Sequence, residues 1–109
     1  MKYLITESQL DKVIFRYLDN QDFIRIERDD KIYFANSEGD EYAQIKYDKD
    51  DGWCGIYDRL INEISSFFSL GESESEKVIG RWVENTLNMS VTGTPVRNAG
   101  FRMRVENIL

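Results

Sequence analysis

With 109 residues, 41% of them hydrophobic and 31% charged, the chain has room for one folded α+β domain spanning 1–109 and no second. Its formal net charge of −6 is opposite in sign to that of a protein that neutralises phosphates over its whole surface, so nucleic acid is not the expected partner. Histidine is absent and Cys54 is the only cysteine, which removes His-dependent catalysis, His-bearing zinc sites and any intramolecular disulfide.

Tyr3-Leu4-Ile5 has the makings of a short strand stopped by Thr6, and Thr6-Glu7-Ser8-Gln9 has capping-box spacing. Leu10, Val13, Ile14, Tyr17 and Leu18 then recur at helical intervals, which predicts an amphipathic helix with those five side chains inward. After Asp22 the period falls to two. Phe23–Arg28, Lys31–Ala35, Glu41–Tyr47 and Trp53–Tyr57 read as strands separated by Asp29-Asp30, Asn36–Asp40 and Asp50-Asp51-Gly52. Short alternating runs between acidic and glycine turns describe an antiparallel meander. Ile24/Ile26, Ile32/Phe34 and Ala43/Ile45/Tyr47 are expected to line one face, with the charged residues alternating onto the other.

From Asp58 the helical period returns through Leu60, Ile61, Ile64, Phe67 and Phe68, with Gly71 as the expected stop. Ser73-Glu74-Ser75-Glu76 repeats the capping-box spacing ahead of Val78, Ile79, Trp82, Val83 and Leu87, so an αα-hairpin is expected. Ser90–Pro95 is a loop by composition, and Phe101–Val105 alternates as a strand does. The predicted architecture is an antiparallel β-meander with an N-terminal helix and a C-terminal αα-hairpin packed on it, the closing strand joining the sheet edge.

Motifs with chemistry are scarce. Asp48-Lys49-Asp50-Asp51-Gly52 invites a calcium reading, but counting from Asp48 puts Gly52 at loop position 5, Trp53 at 6 and Arg59 at 12, where an EF-hand needs Gly at 6 and Glu at 12. Weak divalent-ion binding by Asp48, Asp50 and Asp51 is the residue of that idea, and a solvated turn is favoured over it. Cys54 has no nearby base or helix start to activate it. No catalytic, cofactor-binding or metal-ligating residue is therefore expected, and an enzyme is not.

Charge and aromatic residues are more informative. Asp19 to Asp58 holds twelve acids against five bases, whereas Arg97, Arg102 and Arg104 face only Glu106 at the end of the chain. Phe15, Phe23, Tyr33, Tyr42 and Trp53 fall off the inward periods, and exposed aromatics and arginines are enriched at interfaces. The expected partner-binding residues are Tyr33, Tyr42, Trp53, Arg97, Arg102 and Arg104, used for a protein partner or for self-association. Accessory nucleic-acid binding through the three arginines is the alternative. No small-molecule substrate is evident. No apolar stretch reaches bilayer length, and a cytoplasmic protein is expected.

Lys2-Tyr3-Leu4-Ile5-Thr6-Glu7-Ser8-Gln9-Leu10 resembles the start of many small uncharacterised proteins of phages and marine viruses, over about a tenth of the chain. The resemblance implies a viral origin, hence a host-cell cytoplasm, and brings no activity, cofactor or site residue with it.

Overall fold

The computed structural model describes residues 7–36 and 43–92. In chain order these form α1 (Glu7–Asp19), β1 (Phe23–Arg28), β2 (Lys31–Asn36), β3 (Ile45–Asp48), β4 (Cys54–Ile56), α2 (Asp58–Phe68) and α3 (Glu72–Leu87). The four strands make one antiparallel sheet in the order β1-β2-β3-β4, and the helices pack on it, an α+β fold. Tyr3–Ile5, Ser37–Asp40 and Phe101–Val105 lie outside the described residues. β3 begins at Ile45 rather than Glu41: Gln44 sits in a bend, although its N–H still reaches Phe34 O at 2.8 Å.

The β1–β2 turn decides which side chains reach the core. Asp29-Asp30 is a two-residue loop, with Asp29 in the left-handed region at φ 56°, so Arg28 pairs with Lys31, Ile26 with Tyr33 and Ile24 with Ala35. Cross-strand partners share a face. Ile24 and Ile26 therefore lie on the side away from Ile32 and Phe34, contrary to the sequence expectation, and Ile24 is exposed. Phe23, Arg25 and Glu27 occupy the helix side of β1 instead. Ala43 also departs, being buried with Tyr33 and Ile26 on the opposite face. Ile32/Tyr47, Phe34/Ile45, Tyr47/Cys54 and Ile45/Ile56 do pair on the core side.

Ile14 and Leu18 of α1, Leu60, Ile61 and Ile64 of α2, and Val78, Ile79, Trp82 and Val83 of α3 close over that side. Full burial of each such aliphatic contributes about 1.5–3 kcal/mol. The helical stripes are narrower than the spacing alone implied. At about 100° per residue, Val13 lies about 140° around the helix from Leu18, and it is 54% exposed. Arg81 ties α3 to α1 with two bonds to the Asp11 carboxylate, 2.7 Å from Nε and 2.8 Å from Nη2.

The α2–α3 turn differs from its expected capping. Ser69 takes the left-handed C-terminal position at φ 54°, and Gly71, at φ −70°, is the N-cap of α3 rather than the stop of α2. Helix α3 thus begins at Glu72, ahead of the Ser73 capping box, which does not form. Ser75 instead donates its hydroxyl to Gly71 O at 2.9 Å and meets Ser65 Oγ at 2.8 Å, joining the two helices.

After α3 the chain returns to the β3–β4 turn. Thr92 N–H donates to Gly52 O (2.8 Å), Thr92 Oγ1 to Asp51 O (2.5 Å) and Tyr47 OH to Ser90 O (2.7 Å). Val91 N–H is held by Glu84 Oε2 at 3.0 Å. No helix of the described residues is long and apolar enough to cross a membrane.

Candidate functional site

Among the described residues, the most exposed aromatic side chain lies where the sequence expected core. Phe67, in the last turn of α2, is 66% exposed. Its ring lies tilted against Tyr17 of α1 at 4.9 Å and edge-on to Phe68 at 5.0 Å, and Phe68 meets Tyr17 edge-on at 5.5 Å. Val13 precedes Tyr17 by one helical turn on α1 and so extends the patch. Tyr17 OH donates to Glu63 Oε1 at 3.0 Å. Burial first, and then that bond, hold the phenol above its ordinary value, so it stays a neutral donor. Exposed Lys12 and Arg16 on α1 and Glu63 on α2 place both signs of charge beside the apolar surface.

The expected partner-binding residues are distributed differently. Tyr33 is 5% exposed, so it offers no ring to a partner, and burial raises its phenol above the ordinary value. Phe15 packs against the core, as does Phe23, whose ring lies 6.3 Å from Phe34 and 5.7 Å from Trp82. Trp53 is the one residue of that set, among those described, that is exposed, at 37%, with the Lys46 ammonium 5.9 Å from its ring centre. Tyr42, Arg97, Arg102 and Arg104 lie outside the described residues.

The acidic turns meet in space. Asp30 from the β1–β2 loop, with Asp48 and Asp50, brings three carboxylate oxygens within 4.8 Å of one another. Asp51, named with them from the sequence, is turned aside: its Oδ1 accepts Trp53 N–H at 3.0 Å. Lys31 Nζ already stands 3.6 Å from Asp30 and 4.0 Å from Asp48, supplying a cation where a metal would sit. The bond to Asp30, and then the Asp30 charge, hold Asp50 above the ordinary carboxylate value. The same bond, with a backbone N–H and Lys31, holds Asp30 below it.

A carboxyl with a raised folded value adds stability below its unfolded value, near pH 4, and loses it as pH rises. Asp50→Asn, which removes the charge Asp30 opposes, is accordingly expected to raise the melting temperature at pH 7 and leave it unchanged at pH 3. Thermal melts at the two pH values check this.

Cys54 is buried, and desolvation pushes its thiol up to about 12. At pH 8 only about one part in 10⁴ is then thiolate. A disulfide reagent such as DTNB should leave the folded protein unmodified over hours and titrate one thiol at once in denaturant. Rapid modification of the native protein would show that β4 opens readily.

No known protein family, curated protein or solved structure matches this chain. Its function has to be read from its own residues, and of the features above the Phe67 surface departs furthest from what folding alone requires. The exposed ring escaped the sequence reading because Phe67 shares the helical arc of Leu60 and Ile64. Its position in the last turn of α2, where cover by neighbouring elements runs out first, is the available signal.

Proposed function

We propose that this chain is a non-enzymatic binding or assembly protein that acts through a protein–protein surface, centred on Phe67 with Tyr17, Phe68 and Val13. The observation that carries the reading is the two-thirds exposure of Phe67 within a group of three aromatic rings in contact. Scattered exposed apolar residues need no explanation, but a contiguous patch rimmed by charge is characteristic of an interface. Aromatic rings already packed on one another in the free protein lose less conformational freedom on docking than isolated ones, which favours them as anchors.

The favoured occupant is a second copy of the chain. Lys12 and Arg16 on one side of the patch and Glu63 on the other make it self-complementary, since a two-fold axis sets each sign against its opposite. Light scattering during size-exclusion chromatography tests this. The wild type should elute above the 12.8 kDa chain mass, and Phe67→Ser should elute as a folded monomer with an unchanged circular dichroism spectrum, its melting temperature lower only by what association adds to the wild type. A monomeric wild type would sink self-association. Phe67→Ser and wild type used side by side as pull-down baits would then test a foreign partner, and identical captures would remove this surface from consideration.

A further inference from the structure

A second site lies at the C-terminal end of α1, apart from the Phe67 surface and independent of its function. There a cleft of about 230 Å³ opens between α1, β1 and α3. Leu18, Phe34 and Trp82 form its floor and Phe23 its wall, while Asp19, Asp22, Arg25 and Thr86 stand at the rim. The volume is below the roughly 300–1,000 Å³ of drug-sized sites, so the cleft suits a single side chain or a head group of that size.

The charges around it select the sign. Arg25 is already engaged, its Nη2 2.8 Å from Glu27 Oε1. Trp82 Nε1–H donates to Asp19 Oδ1 at 3.0 Å, which fixes the carboxylate against the floor and leaves Oδ2. The Asp22 backbone N–H donates to Asp19 O at 3.3 Å and its φ is 57°, in the left-handed region, while its carboxylate has no hydrogen bond or ion pair among the described residues. Both acids sit at the carbonyl end of α1, where the helix dipole opposes negative charge and favours a cation. The indole bond gives Asp19 a place in the fold, whereas the Asp22 carboxylate at the same helix C-terminus has no such partner, and a bound cation would offset its charge.

We infer that this cleft binds a guanidinium group, the head of an arginine side chain or of a small guanidino compound. A guanidinium is flat, weakly hydrated and rich in donors, so it can lie against the Phe23 ring while bonding to Asp19 and Asp22 together. A primary ammonium holds its water more tightly and offers no flat face to the ring.

Trp82 reports on the cleft directly. In the Trp53→Phe protein, which has Trp82 as its single tryptophan, N-acetylarginine methylamide and agmatine are titrated separately, following Trp82 fluorescence and its indole N–H resonance. Saturable changes near millimolar concentration are expected, at least tenfold weaker in Asp22→Asn and weakened by added salt. Asparagine tolerates the left-handed position at least as well as aspartate, so that variant should keep the fold. Tighter binding of the capped arginine points to a protein-borne side chain, and tighter binding of agmatine to a free guanidino compound. The inference is overturned if neither probe saturates, if the neutral N-acetylcitrulline methylamide acts equally, or if Asp22→Asn binds as well as the parent.

Discussion

Trp82→Ala should cost about 3–5 kcal/mol of folding stability, the usual range for removing a large buried aromatic. Trp82 is 3% exposed and sits among Phe34, at 5.2 Å between ring centres, and Phe23, at 5.7 Å. Truncation leaves a void bounded by two rigid rings that belong to the sheet, and a sheet relaxes into a void less readily than a helix end does. It also strips the Asp19 carboxylate of its indole donor. Domains of this size are stable by about 5–15 kcal/mol in total, so the variant should be near its unfolding midpoint in low denaturant. Trp82→Phe keeps most of the packing but loses the Nε1 bond, and about 1–2 kcal/mol is expected. Urea unfolding of the three proteins checks both values. A loss below about 1 kcal/mol for the alanine variant would mean that the aromatic group is not a packed core.

Gly52 should be the most sensitive turn position. Its φ of +75° lies in the region that side chains avoid, and a Cβ there would come within 2.9 Å of Ser90 O and 3.0 Å of Thr92 Cγ2. Left-handed backbone costs an ordinary residue about 1–2 kcal/mol, and the close carbonyl is main chain, which cannot swing aside. Gly52→Ala is expected to cost about 2 kcal/mol and Gly52→Val about 3. The Gly52 carbonyl also accepts Thr92 N–H, so the valine variant should lose hydrogen-exchange protection at Thr92 first. Equal stability of Gly52→Ala and wild type would show that the segment after α3 moves away without penalty.

Element types were legible because each depends on neighbours along the chain. The 3.6-residue period of α1, α2 and α3 and the two-residue period of β1 and β2 are written in the order of residues. Facing was harder. The two-residue period alone sets Ile24 and Ile26 with Ile32 and Phe34, yet the loop of two between Arg28 and Lys31 pairs even with odd positions, which decides the matter. Phe67 and Val13 could not be placed by period alone, since their exposure depends on how far neighbouring elements cover them. The meeting of Asp30 with Asp48 and Asp50 needed the β2–β3 register, and the cleft at Trp82 needed three elements joined across more than sixty residues. Ser69 took the left-handed place reserved for Gly71, because a serine can adopt it when the tertiary turn requires it.

The long reach from α1 to α3 bears on how the chain is made. Asp11 and Asp19 find Arg81 and Trp82 only 70 and 63 residues later. A ribosome adding about 5–20 residues per second takes roughly 3 to 14 s to cover that interval. A helix of 13 residues is marginal by itself in water, so α1, made well before α3, has to wait for it to be secured. Until α3 emerges, Ile14 and Leu18 lack part of their cover, and the nascent chain carries α1 with its apolar stripe open.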